Sequence, residues 1–321
     1  MLRTQKFSKT GLIDLFKNPD MEIVQFKDLN RERINHFLLK GKQVKFDDYQ
    51  KIENIFNFNY SDENYKKIEN MIEFCDKNYI LILTANTKNP PLIFQKIKRN
   101  LIDLLFIKGN IQNQDLKSYS ICGTRNPTKD AVIKTREIAR FFAERGFTLI
   151  NGYAKGIDIQ AFIGSSEKKG RYIGILASGI ENIYPPENIK YVSKVIKNGA
   201  IISQRLIWDR VNRISLQMRN RFSAELSNGS IFIEGNFKSG TKWQYKFAKE
   251  AKKPVFYLEP KDWNHENSHI PKMIKDQGGV EIKNDLSNLE EIEIILMEEY
   301  EKRMKRINDS KIWKTYISVS L

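Results

Sequence analysis

The chain has 321 residues, enough for about two domains, and its 54 Lys and Arg exceed its 39 Asp and Glu to give a net charge of +15. Hydrophobic residues make up 40% of the sequence, which suffices for a buried core and excludes a wholly disordered chain. No apolar run reaches membrane-spanning length, no secretory signal follows Met1, and two cysteines make no disulfide framework, so we expect a soluble cytoplasmic protein.

The N-terminal part of the chain is polar. Residues 1–70 contain only short apolar clusters separated by asparagine-rich connections, which predicts a small helical N-terminal region. Two apolar runs follow, at 80–84 and 101–107, and the turn-forming residues after the first run favour a strand there.

From Tyr119 onward, short apolar strands alternate with helices. Thr128 is placed to cap the first of these helices, and Gly146 is placed to end it. Strands are predicted at 119–122, 147–150, 172–176, 200–203, 230–233 and 254–258, with a helix over 241–252. This alternation predicts an α/β fold whose doubly wound, mostly parallel, Rossmann-like sheet occupies residues 71–260.

Residues 261–321 form a C-terminal extension of different character. The segment from Ser287 to Glu290 has the spacing of a capping box, and the long helix predicted after it runs from acidic to basic residues, as the helix dipole favours. We expect this helix to serve in packing or in self-association.

The positive charge is concentrated in the predicted sheet domain. Residues 120–260 contain 24 Lys and Arg but 12 Asp and Glu, so most of the net charge falls in under half of the chain. Such a surface attracts polyanions because its cations release the counterions of phosphate groups. A solvated, lysine-rich face is the alternative interpretation.

Three glycine loops follow predicted strands and precede predicted helices, at 123–125, 152–158 and 238–241. Ligands of doubly wound sheets bind at the carboxyl ends of strands, where helix N-termini attract anions. The loops therefore predict a phosphate-facing groove in which Arg125, Lys155 and Lys238 share one edge of the sheet. The alternative is that these glycines only make tight turns.

Two further segments add polar groups. Arg219 and Arg221 place two guanidinium groups within three positions, a pattern suited to bidentate phosphate contacts or to simple solvation. The Tyr184–Asn188 segment is a rigid turn, and the Tyr184 ring is a candidate platform for base stacking.

Five ordered motifs of the sequence resemble those of the DprA/Smf (DNA-processing protein A) family. They lie at 123–128, 152–158, 184–188, 219–227 and 239–241. The resemblance implies an extended Rossmann fold and a homodimer that binds single-stranded DNA along a basic groove, in a family whose members are not established enzymes. It also implies a partnership with a RecA-type recombinase during natural transformation. No cofactor is expected, and no metal either, because no pair of cysteines has zinc-ligand spacing.

Carried over by position, the resemblance implies a set of DNA-binding residues that combines cations with loop glycines and hydroxyls. The set comprises Gly123, Thr124, Arg125, Gly152, Lys155, Gly156, Arg219, Asn220, Arg221, Lys238, Ser239, Gly240 and Thr241.

Other functions stay open as alternative hypotheses. Lonely-guy phosphoribohydrolases share the expected fold and use a catalytic Glu, but Gln244 stands at that position and an amide cannot act as a general base. Asp158 is expected to accept hydrogen bonds at a helix N-terminus rather than to act as a catalytic acid. A role in phage defence or in a toxin–antitoxin pair, or nucleotide sensing by the same groove, is compatible with the sequence.

Overall fold

The computed structural model describes residues 62–84, 87, 90–97, 101–102 and 104–319. The predicted N-terminal region lies outside the described residues up to position 61. The chain divides into two compact units, one made of 1–78 with 84–87 and the other of 79–83 with 88–321. Helix α1 (Asp62–Lys77) belongs to the first unit.

The second unit is built on a nine-stranded sheet among the described residues. Its strands are β1 (Ile80–Thr84), β2 (Leu104–Gly109), β3 (Ser118–Cys122), β4 (Thr148–Asn151), β5 (Tyr172–Leu176), β6 (Gly199–Ser203), β7 (Ser230–Phe232), β8 (Val255–Leu258) and β9 (Val280–Ile282). The spatial order is β1-β2-β6-β5-β4-β3-β7-β8-β9. Strand β2 pairs with β6 in antiparallel fashion, and every pair from β6 to β9 is parallel. The predicted mostly parallel, doubly wound sheet is confirmed.

Seven helices among the described residues of this unit connect or follow the strands. They are α2 (Lys129–Glu144), α3 (Ile157–Glu167), α4 (Val192–Lys197), α5 (Arg213–Leu226), α6 (Thr241–Glu250), α7 (His269–Asp276) and α8 (Leu289–Val319). The Thr128 hydroxyl accepts the Ala131 amide, and Gly146 adopts φ +72° just after α2, so both predicted ends of α2 are confirmed. Within the described part of the chain, each helix is too short or too polar to cross a lipid bilayer.

The sheet is buried on both faces. Every residue of β3, β4, β5 and β6 is buried, because helices cover both sides of these strands. Ile150, Ile173 and Ile202 join one apolar cluster with Phe222 of α5. Each buried Ile or Phe side chain stabilises the fold by roughly 1.5–3 kcal/mol relative to exposure.

The sheet continues beyond residue 260, into the segment predicted as a C-terminal extension, where β9 adds to β8. The predicted capping box at Ser287 is wrong: α8 begins at Leu289, and the Ser287 amide donates instead to Asp285 at 2.9 Å. Helix α8 is anchored by Arg303, whose buried guanidinium donates to the Leu226 carbonyl at 2.6 Å.

The strand order reverses between β3 and β7. From β3 the chain proceeds through β4 and β5 to β6 on one side, and from β7 it proceeds through β8 to β9 on the other. The loops that leave the carboxyl ends of β3 and β7 therefore diverge, and doubly wound sheets bind ligands in the crevice that forms at this point.

Candidate nucleic-acid interface

A cavity of about 400 Å³ opens at the crevice between β3 and β7. Its walls come from the loop after β3, the loop before α6 and the inner face of α5. Four cationic side chains line it, together with one carboxylate, that of Asp158; the cations are Arg125, Arg213, Arg219 and Lys238. A concave site with this balance of charge attracts anions.

Most of the residues predicted to bind DNA meet in this cavity. Gly123, Thr124, Arg125, Arg219, Asn220, Lys238, Ser239, Gly240 and Thr241 line it. The other four predicted residues, Gly152, Lys155, Gly156 and Arg221, lie outside its lining. Of the three cations predicted to share one edge of the sheet, Arg125 and Lys238 line this cavity, and Lys155 lies with Arg125 at an adjoining pocket.

Three of the lining cations are available to an external anion. Arg125, Arg213 and Lys238 are exposed, and none of them forms an ion pair with another described residue. Arg213 was not predicted from the sequence. The signal that could have revealed it is Asn212, which caps α5 and so places Arg213 in the first turn of a helix that follows a parallel strand.

Arg219, which was predicted to contact DNA phosphates, has a buried side chain. Its side chain is only 7% exposed, and its guanidinium donates a hydrogen bond to the Gly152 carbonyl oxygen. Burial lowers the pKa of Arg219, and the neighbouring Asp158 carboxylate raises it in part. Arg219 thus contributes a fixed charge to the floor of the cavity while holding the loop after β4.

Asp158 is the matching carboxylate beneath the cavity. It is 5% exposed, and burial raises its pKa, whereas Arg219 and the amides of Ala154 and Gly152 lower it. The Ala154 amide donates to its Oδ2 at 3.3 Å. The predicted hydrogen-bonding role therefore holds, but the donor lies in the loop before α3 rather than in the helix.

Two predicted glycines allow close packing behind the cavity. A Cβ at Gly152 would lie 2.1 Å from Nη1 of Arg219, so only glycine leaves room for this guanidinium. Gly156 has φ +75°, and a Cβ there would lie 2.3 Å from the Thr124 carbonyl oxygen. The missing side chains at these two positions let the loops pack closely against Arg219 and Thr124.

Lys155 lies at a smaller adjoining pocket that it shares with Arg125, Tyr184 and Arg219. It is exposed and forms an ion pair with Glu187. An exposed pair of this kind contributes little to stability, roughly 0–1 kcal/mol, but it offsets the charge that Lys155 can offer to an anion.

The loops on the two sides of the cavity are joined by Glu234, which sequence reasoning did not single out. Its carboxylate accepts the Thr128 hydroxyl at 2.7 Å and the Thr128 amide at 3.0 Å, and its carbonyl accepts the Thr124 amide at 2.7 Å. Asn267 donates to the same carboxylate at 3.4 Å. Glu234 thereby fixes the spacing of the two cation-bearing loops.

Gln244 and Cys122 line the cavity as buried, neutral side chains. Gln244 is 2% exposed and donates its amide to the Ser120 hydroxyl at 2.8 Å. Burial and the nearby Asp158 raise the pKa of the Cys122 thiol well above its usual value, so it stays protonated. Among the residues that the structure describes, no group of three or more His, Cys, Asp or Glu is placed to hold a metal ion.

A family model, DNA recombination-mediator protein A, matches residues 71–292, which include the whole cavity lining. The chain belongs to this family. The resemblance to the DprA/Smf family that the five motifs carry is confirmed.

Relatives of the chain are named Smf or DprA. Protein Smf of Borreliella burgdorferi is 34% identical over 137 residues, covering 42% of this chain and 44% of its own length. DNA processing protein DprA of Bacillus subtilis is 27% identical over 240 residues, 74% of this chain and 75% of its own. The chain spans about half the length of the Smf proteins of Borreliella burgdorferi and of Synechocystis, 44% and 50% respectively.

Two solved structures share the fold. DprA of Streptococcus pneumoniae matches with a TM-score of 0.58 at 21% identity, over 65% of this chain and 74% of its own. DNA processing protein A of Helicobacter pylori, described with its single-stranded DNA binding mode, matches with a TM-score of 0.58 at 25% identity, over 70% of this chain and 99% of its own.

Proposed function

We propose that the protein binds single-stranded DNA by seating its phosphates in the cavity between β3 and β7. The observation that carries the proposal is the convergence there of Arg125, Arg213 and Lys238, all exposed and all without an ion pair to another described residue. The similar Helicobacter pylori protein is described as binding single-stranded DNA, which supports the assignment.

The shape of the site favours a single strand over a duplex. The cavity is recessed between two loops, so one flexible backbone can enter it, whereas a duplex holds its two backbones apart on a stiff helix. Tyr184, 36% exposed at the adjoining pocket, offers an aromatic face that only unpaired bases can reach.

We further propose that the protein is a non-enzymatic homodimer that hands the strand to a RecA-type recombinase. Family membership supports this role in DNA recombination. The buried amide of Gln244 supports the absence of phosphoribohydrolase activity, because an amide neither accepts nor donates a catalytic proton at neutral pH.

A nucleotide ligand is the second candidate for the same cavity. The cavity volume of about 400 Å³ lies within the range of small-molecule sites, and the cations that line the cavity would recognise the phosphates of a mononucleotide. A large thermal shift of the protein with one mononucleotide, in the absence of DNA, would favour this function.

The proposal is tested by fluorescence anisotropy with a labelled, mixed-sequence oligonucleotide and the full chain. Arg125→Ala with Lys238→Ala should weaken binding at least tenfold. The matched control, Lys194→Ala with Lys197→Ala, removes two exposed charges from α4 and should bind as the wild type does. Unlabelled single strand should compete better than duplex; equal competition, or equal loss in both double variants, would contradict the proposal.

A further inference from the structure

Helix α6 and the loop before it carry alternating aromatic and basic side chains. We call this set the strip; it comprises Phe237, Lys238, Lys242, Trp243, Lys246 and Phe247. Phe237 is 70% exposed, and Trp243 and Phe247 are half-buried. The rings of Trp243 and Phe247 lie nearly parallel, at 26° and 6.3 Å between centroids.

Most of the strip lies on the outer side of the helix. Gln244, Tyr245 and Ala248 form the buried side of α6, Trp243 lies away from it, and Phe247, four residues on, lies at its edge and packs in part against the core. Trp243 also lines the cavity between β3 and β7, as does Lys238. The strip therefore begins inside the cavity and leads outward along α6.

Each ring of the strip has a cation beside it. Lys242 Nζ lies 5.5 Å from the centroid of the Phe237 ring, and Lys246 Nζ lies 5.7 Å from that of Trp243. Arg221, which was predicted to bind DNA but lies outside the cavity, has its guanidinium carbon 5.8 Å from the Phe247 centroid. Arg221, Lys238 and Lys242 form no ion pair with any described residue. The same side chains can therefore hold phosphates while the rings meet bases.

We propose that the strip is a base-stacking site for the single-stranded DNA whose phosphates occupy the cavity. This inference rests on the proposed function and extends it from phosphate binding to contact with the bases. Stacking on aromatic side chains does not depend on the base sequence, because every base has a π-face. Duplex DNA cannot stack in this way, because its bases are already paired and stacked on one another. The strip thus gives the protein a structural reason to prefer an unpaired strand.

The test compares two labelled oligonucleotides of equal length, oligo-dT and an abasic strand with the same phosphates, on the full chain. Wild-type protein should bind oligo-dT about tenfold or more tightly than the abasic strand, the effect expected of one or two stacked bases. Phe237→Leu with Trp243→Leu should remove most of that difference and leave the salt dependence of binding unchanged, because no charge is lost. Phe237→Tyr with Trp243→Phe, which keeps both rings, should retain the difference.

Two results would overturn the inference. One is an equal affinity of wild-type protein for the two oligonucleotides, and the other is a leucine double variant that still prefers oligo-dT as strongly as the wild type. If the wild type bound neither strand, the proposed function itself would fail. The exposed Phe237→Leu variant alone should reduce the preference in part, which keeps the test decisive if Trp243→Leu disturbs folding.

Discussion

Gly152→Ala is expected to destabilise the protein through one side chain, that of Arg219. An added Cβ would lie 2.1 Å from Nη1, 2.4 Å from Cζ and 2.7 Å from Nε of that guanidinium, far inside contact distance. The guanidinium must move, so it loses its hydrogen bond to the Gly152 carbonyl and retreats from Asp158. A lost charged hydrogen bond costs roughly 1.5–3 kcal/mol. We expect the free energy of unfolding to fall by about 3 kcal/mol.

Urea unfolding followed by circular dichroism measures this loss, and Gly240→Ala is the matched control. Gly240 has φ −66° and no atom within 4 Å of an added Cβ, so this substitution should change stability by less than about 1 kcal/mol. In an Arg219→Ala background the clash is absent, and Gly152→Ala should then cost almost nothing. Additive costs of the two substitutions would refute the assignment of Gly152 as the space for Arg219.

Three further predictions concern the loops around the cavity. Gly156→Ala should destabilise the fold by about 1–3 kcal/mol from its left-handed conformation alone, and urea unfolding would show a smaller loss if the loop rearranges freely. Because burial raises the pKa of Asp158, the folded state holds the Asp158 proton more tightly than the unfolded state does. The stability of the wild type relative to Asp158→Asn should therefore fall as pH rises above about 4. Urea midpoints of the wild type that rise relative to those of the variant would contradict this. Lys155→Ala should flatten the salt dependence of DNA binding less than Arg125→Ala does, because Glu187 already offsets the charge of Lys155, and equal flattening would be contrary evidence.

The sheet could be predicted from the sequence because its central strands are short apolar runs bounded by turn residues. Tyr172–Leu176 and Ala200–Ser203 are recognisable in this way, and the structure extends the second run by one residue to Gly199. Strand β9 was not predicted, since its three residues are partly exposed and carry no alternation long enough to detect. Its pairing with β8 depends on tertiary contact.

The candidate site could be predicted in outline, because glycine loops after parallel strands must meet at one edge of the sheet. What the sequence did not show is which cations face outward. Arg219 and Arg221 are two positions apart, yet α5 turns one toward the Gly152 carbonyl and the other toward Phe247. The role of Glu234 also escaped detection, because its partner Thr128 is 106 residues away in the chain.

The salt dependence of single-stranded DNA binding tests most directly whether the cations at the β3 and β7 loops contact phosphates. Each phosphate contact to a single strand adds about 0.7 to the slope of log affinity against log salt. Removing Arg125 and Lys238 should therefore flatten the slope by about 1.4, so that the loss of affinity between about 50 and 200 mM salt shrinks about sevenfold. A slope that stays at the wild-type value in this double variant would contradict the account.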